Sequence, residues 1–277
     1  MPKKLSYLFV SPHLDDALLS CGGLLSYLAK KNTVTVATVF TEAHNQQSNL
    51  SIRRFLKLSS ERDSLILFQK RRKEDAGLIS SLGANSVHLG FTDALYRLRP
   101  GRDWWGRKIG DLNFIYPLFS WQLKRGRVSD LDKPLEEQIA HEIRRLVKEK
   151  TVILAPTGIG RHMDHLLIRR VCEKYFPETI FWSDFPYNVR GNQFFSDLAD
   201  RGYQILGWGE NLDRKVELIK MLKTQVRLLF PDGNIPKVPE YYFSKQGVIP
   251  FPAVVGRLKP LTEENQYSEG QERDQEP

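Results

Sequence analysis

The stretch from residue 6 to residue 41 constrains the fold more than any other part of the chain. Ser6–Ser11 (SYLFVS) reads as a buried strand, and residues 17–31 read as a helix with Leu18, Leu19, Leu24, Leu25 and Leu28 on its apolar side. Residues 33–41 (TVTVATVFT) are β-branched and alternating, which predicts a second strand. The alternation repeats downstream. Residues 61–82 read as a helix stopped by Gly83, 86–89 as a short strand, and 134–150 as a helix opening on Pro134. Residues 151–155 (TVILA) form a continuous apolar strand, followed by a helix over 164–176 and a strand over 179–182. A late helix is expected over 211–229, and a polar loop over 42–60. Strands alternating with helices predict an α/β fold, with a mostly parallel sheet covered on both faces. Gly22 and Gly23 inside the first helix imply close packing against the sheet.

At 277 residues and 41% hydrophobic, the chain can bury one sizeable core. The expected organisation is one domain over residues 1–260 with a long irregular insertion at 91–133, then an acidic, disordered tail over 261–277. The formal charge of +8 is uneven: the last 17 residues carry five Glu and one Asp against one Arg, which leaves about +13 for the rest. A basic body suits anionic partners as well as it suits plain solvation. Cys21 and Cys172 lie in helical apolar patterns and are expected to be core thiols, in keeping with a reducing compartment. The apolar run near the N-terminus is too short for a secretory signal, and no stretch is long enough to span a bilayer. The expected location is the cytoplasm.

Two clusters carry the chemistry. Ser11-Pro12-His13-Leu14-Asp15-Asp16 follows the first strand, and Gly158-Ile159-Gly160-Arg161-His162-Met163-Asp164-His165 follows the apolar strand at 151–155. Both stand at the end of a predicted strand, where open α/β sheets place their sites. Together they offer imidazoles and carboxylates in the composition of a catalytic zinc site that activates water. Asp15 and Asp16 also suit a helix N-terminus as plain caps. Asp164 suits either a cap or a group that orients a ring nitrogen.

These two clusters resemble the LmbE-like, or PIG-L, de-N-acetylase superfamily, that of the N-acetylglucosaminyl-phosphatidylinositol de-N-acetylase. Its first motif reads roughly (A/S)-H-P-D-D-E and its second G-x-x-x-H-x-D-H, matched here by residues 11–23 and 158–165. Weaker similarity runs through Arg71-Arg72-Lys73-Glu74, residues 89–93, Asp184-Phe185-Pro186-Tyr187 and the late helix around 215–225. The resemblance implies a Rossmann-like α/β fold and a zinc ion held by His13, Asp16 and His165, with another divalent metal such as Fe2+ as the alternative. It further implies Asp15 as general base, His162 as electrophile or acid, and Arg71 as a substrate contact; Asp164, between the two histidines, is expected to be a further catalytic group through the ring it orients. Leu14 and Ala17 depart from the motif's proline and glutamate. Gly160 stands where some members carry a tyrosine that polarises the substrate carbonyl, so that donor must come from elsewhere or be missing.

The expected activity is hydrolysis of an N-acetyl group from an N-acetylglucosamine-like amino sugar or its conjugate, phosphorylated or not, giving acetate and an amine. A metal-dependent glycosyl or nucleotidyl transferase is an alternative, although no glycine-rich phosphate loop follows the first strand. A basic nucleic-acid-binding protein is another, although the cations are dispersed and form no known module. In the 91–133 segment, Trp104, Trp105, Phe114, Tyr116, Phe119 and Trp121 interleave with Arg97, Arg99, Arg102, Arg107, Lys108, Lys124, Arg125 and Arg127. The segment would either border the pocket mouth and choose the substrate or pack its rings on the domain.

Overall fold

In β1 (Ser6–Ser11), successive side chains go to opposite sides of the sheet. Tyr7 and Phe9 join one core cluster, while Leu8 and Val10 join the other. The computed structural model describes residues 5–45, 48–100, 113–117, 126–190, 198–245 and 259–260. The other strands among them are β2 (Thr33–Glu42), β3 (Asn85–Thr92), β4 (Thr151–Pro156), β5 (Ile180–Trp182), β6 (Tyr203–Trp208), β7 (Glu240–Lys245) and β8 (Lys259–Pro260). They lie in the order β3-β2-β1-β4-β5-β7-β6-β8. From β3 to β5 every pairing is parallel, and β7, β6 and β8 add an antiparallel flank.

Seven α-helices accompany the sheet in the described residues: α1 (Asp16–Leu28), α2 (Leu50–Leu58), α3 (Ser64–Ser81), α4 (Lys133–Leu146), α5 (Met163–Tyr175), α6 (Leu212–Met221) and α7 (Val226–Leu229). Leu24 and Leu25 of α1 pack with Leu218 and Ile219 of α6 on the Tyr7 face. Ile139 and Ile143 of α4 pack with Leu167 and Val171 of α5 on the Leu8 face. This is the expected α/β architecture. The chain lays β2 and β3 on one side of β1, then returns to place β4 on the other. The β1/β4 boundary is thus the switch point, with a crevice at the strands' C-terminal ends. Both histidine clusters emerge there.

The structure departs from expectation in three places. Residues 42–60 contain α2, capped by the Asn49 side chain accepting from the Ile52 amide at 2.8 Å. Its inward stripe is only Ile52, Phe55 and Leu56, set among Arg53, Arg54 and Lys57, which disguises it as a loop. The late helix divides into α6 and α7, because Glu74 of α3 takes the Lys223 and Thr224 amides that would have continued it. β3 extends to Thr92, past the start assigned to the irregular segment.

Gly22 packs against Lys215 of α6 rather than the sheet, whereas Gly23 meets Glu240 of β7. A Cβ on Gly23 would come within 2.8 Å of the Glu210 carbonyl oxygen and 3.2 Å of Glu240 Oε1. Cys21 and Cys172 are buried and form no disulfide. In the irregular segment, Phe114 and Tyr116 are buried in the domain, and the Tyr116 hydroxyl donates to Asp132 at 2.5 Å. Trp104, Trp105, Phe119 and Trp121, most of that segment's cations, and the 261–277 tail lie outside the described residues. No helix among the described residues is long and apolar enough to cross a membrane.

Candidate metal centre and active-site cavity

β1 ends in a tight turn. The Ser11 hydroxyl donates to the His13 carbonyl at 2.8 Å and accepts from the Ala17 amide at 3.1 Å. The His13 amide donates to Asp16 Oδ2 at 2.8 Å, which fixes the first carboxylate of α1 beside the imidazole that precedes it. Asp15 holds the N-cap position of α1 but makes no side-chain cap bond. Its carboxylate faces Arg71 of α3 instead, with Nη2 at 3.4 Å from Oδ1. The capping alternative therefore does not describe Asp15. His162 supplies the cap of α5, its Nδ1 accepting from the Asp164 amide at 3.2 Å.

The two strand ends meet at Asp16. One oxygen, Oδ2, lies 3.0 Å from His13 Nδ1 and 3.1 Å from His165 Nε2. The far nitrogen of each ring is gripped by another carboxylate: His13 Nε2 by Asp164 at 3.0 Å, and His165 Nδ1 by Asp184 at 2.7 Å. Asp184 is in turn held by the Thr157 hydroxyl at 2.6 Å and the Ile159 amide at 2.8 Å. Asp164 is held by the Ala94 amide at 3.0 Å and by a close pairing with Arg97. Carboxylates behind the rings are the usual support of histidine ligands.

Donors sharing a tetrahedral ion with bonds of 2.0–2.1 Å stand about 3.3 Å apart, so the spacings around Asp16 fit such an ion. Two other groupings occur among the described residues, with ligand atoms all within 4.8 Å: His13 with His162 and His165, and His13 with Asp93 and Asp164. In the first, the backbone amide on Nδ1 of a neutral His162 leaves its proton on Nε2, so that nitrogen donates rather than ligates. In the second, Arg97 already neutralises Asp164. His13 Nδ1, Asp16 Oδ2 and His165 Nε2 could together hold a divalent cation.

The charges agree. Burial works against protonated imidazoles, yet Asp16 and Asp164 raise His13 well above the ordinary range, and Asp16 and Asp184 raise His165 to about 10. A divalent ion would replace those protons. Burial, reinforced by His13, holds His162 well below its ordinary range and therefore neutral. Burial pushes Asp15 up to about 6 against the pull of Arg71.

These groups open into a cavity of about 220 Å3. His13, Asp15, Asp16, Arg71, His162 and His165 line it, while Asp164 sits wholly buried behind His13 and off the wall. Sequence reasoning missed Asp184 as the partner of His165, Asp93 beside His13, and Gln225 on the cavity wall. Asp184 has a sequence signal, its place directly after the apolar strand β5. Gln225 lies at the end of the 215–225 stretch that resembles the family. Arg97, grouped by sequence with cations for a ligand, is buried between Asp164 and Asp132.

The family model described as GlcNAc-PI de-N-acetylase, PIG-L, matches residues 8–176. A 2'-N-acetylparomamine deacetylase of Streptomyces fradiae is 32% identical over 185 residues, a match spanning 65% of this chain and 57% of that protein. Another 2'-N-acetylparomamine deacetylase, from Niallia circulans, is 28% identical over 266 residues, 88% of this chain and 92% of the relative. A solved deacetylase of the teicoplanin biosynthesis pathway superposes with a TM-score of 0.64 at 21% identity, covering 93% of this chain and 99% of its own, a likeness of fold. The chain belongs to the PIG-L, or LmbE-like, family of de-N-acetylases, and the matched span includes both histidine-bearing strand ends.

Proposed function

We propose that the protein is a divalent-metal-dependent amide hydrolase that removes an N-acetyl group from an amino sugar or its conjugate. The observation that carries this reading is one Asp16 oxygen shared by two imidazoles, each backed by its own carboxylate, with Asp15 left facing the cavity. His13, Asp16 and His165 would hold the ion. The mixed imidazole and carboxylate set suits zinc, or Fe2+ as the alternative. When bound, such an ion polarises the acetamide carbonyl and lowers the pKa of water.

Asp15 takes the proton of the attacking water. A carboxyl poised at about 6 can also release that proton to the departing amine, which balances the reaction to acetate and a free amine. The Nε2–H of neutral His162 donates to the oxygen that gains negative charge. Arg71 orients the Asp15 carboxylate at the cavity wall and is within reach of a substrate there. Asp164 acts from behind, keeping His13 Nδ1 directed at Asp16. The family description and both curated relatives name N-acetylated amines as substrates, which supports an amino-sugar acetamide.

The test is Asp15→Asn with bound metal quantified. Acetate release from N-acetylglucosamine conjugates should fall by about 10²–10⁴ while metal content holds. Near-wild-type turnover with metal retained would remove Asp15 from this role.

A further inference from the structure

Every exposed residue of α2 is either a leucine or a cation: Leu50, Arg53, Arg54, Lys57 and Leu58. At 3.6 residues per turn these five fall on one contiguous arc of about 140°, in the order Arg53, Lys57, Leu50, Arg54, Leu58. Ile52, Phe55 and Leu56 point the other way and pack into the domain, which fixes the rotation of the helix. Leu50 is 69% exposed and Leu58 55%. Past the turn at 59–63, the first turn of α3 adds Leu65 at 49% and Ile66 at 48%. Four of the seven large apolar side chains exposed among the described residues thus belong to one corner. Single exposed leucines need no explanation, but a cluster of them marks a contact surface.

The cations beside those leucines are unspent. Arg53, Arg54, Lys57 and, in the following turn, Arg62 form no ion pair among the described residues. The acids of that turn are committed: Glu61 pairs with Lys70, and Asp63 accepts from the Ile66 amide at 2.9 Å. The corner therefore calls for negative charge with an apolar layer behind it. A second copy of the chain would offer leucines, but a two-fold contact would set cation against cation. A nucleic acid offers charge, but no aromatic ring stands among the exposed residues of α2 to stack on a base. An anionic bilayer offers both, with phosphates at headgroup level and hydrocarbon about 5–10 Å below. Long Arg and Lys stems reach the phosphates while the leucines between them go deeper.

We infer that the α2–α3 corner is a docking face for an anionic lipid bilayer, bound reversibly at its surface and not crossed. The face is built in advance. The Asn49 side chain caps α2, and Phe55 and Leu56 pack against the cluster that holds Phe68 and Leu95. Binding therefore orders no new helix, unlike the docking of a free amphipathic peptide. Phe55 also lines the cavity, so the bilayer meets the domain beside it. The inference does not depend on the chemistry proposed above, because binding is read without turnover.

The experiment sediments the full chain with vesicles of phosphatidylcholine alone and of phosphatidylcholine mixed with phosphatidylglycerol, in low and in high salt. Two variants accompany wild type: the triple change Arg53→Gln, Arg54→Gln and Lys57→Gln, and the pair Leu50→Ser and Leu58→Ser. Wild type should bind the mixed vesicles in low salt, bind phosphatidylcholine poorly, and be released by high salt. Each cation near the surface is worth about fivefold in partitioning, so the triple variant should lose about a hundredfold. The leucine pair should lose about tenfold or more. Melting temperatures should match wild type, because all five side chains are exposed. A wild type that ignores phosphatidylglycerol overturns the inference, as does binding that both variants retain. Loss in only one variant also overturns it, since charge alone means diffuse attraction and leucines alone mean an uncharged apolar partner. Tighter binding to DNA or polyglutamate, indifferent to the leucines, would assign the face to a soluble polyanion instead.

Discussion

Two clusters of buried charge flank α1, and they differ in balance. At the C-terminal end of β1 and β4, Asp15, Asp16, Asp93, Asp164 and Asp184 gather around three imidazoles, with Arg71 and Arg97 as the fixed cations. On the other side, Lys215 of α6 meets Glu240 of β7 at 3.4 Å, both buried. Glu240 there also accepts from the Gly23 amide at 2.8 Å, the Leu24 amide at 3.0 Å and the Tyr242 hydroxyl at 2.8 Å. That second cluster is closed and neutral, and Lys215 and Glu240 are absent from the cavity wall. The first has more carboxylates than cations and opens into a cavity. Burial of charge is common to both, so it does not mark a site. A surplus of one sign facing a cavity does, because it calls for a cation from outside.

The comparison breaks most sharply under paired substitutions. His165→Ala removes one of the three proposed ligands and should cut acetate release by more than about a thousandfold, with loss of bound metal and retained circular dichroism. Glu240→Ala strands the Lys215 ammonium and should cost about 3–5 kcal/mol in urea unfolding. The folded fraction should keep its kcat within about threefold. If Glu240→Ala instead abolished turnover without loss of stability, the distinction between the clusters would fail.

Much of this was legible in the chain, for reasons that differ by element. β1, β2 and β4 are read from period-two or continuous apolar runs, because each is buried on both faces. His13, Asp16 and His165 are read as a cluster because strand ends at a switch point converge whatever the intervening loops do. α2 was hidden because it buries only Ile52, with Phe55 and Leu56 half-buried among cations, so only the Asn49 cap would have revealed it. The division of α6 from α7 depends on Glu74, 149 residues before Lys223, and no local propensity reports a contact that distant. Gln225 lay in the stretch 215–225 that resembles the family, but its place on the cavity wall depends on the same distant contact. The Tyr187 ring over Gly160 answers the sequence puzzle of a glycine where a side chain was expected, but only the folded chain brings the two together.

The smallest expected effect sharpens the comparison furthest. Asp184→Asn keeps the shape of the group that accepts from Thr157, Ile159 and His165. Its amide oxygen can still serve the Ile159 N–H, which leaves the NH2 end facing His165 Nδ1. That nitrogen must then accept, so the neutral ring carries its proton on Nε2, the atom that faces Asp16. The ligand lone pair is lost while every neighbour stays in place. Metal affinity or turnover should fall about 10–100-fold, recoverable with excess metal, and thermal stability should change little. Unchanged metal affinity in Asp184→Asn would mean that the carboxylate behind His165 is structural, and that the site does not depend on the charge surplus that separates it from Lys215 and Glu240.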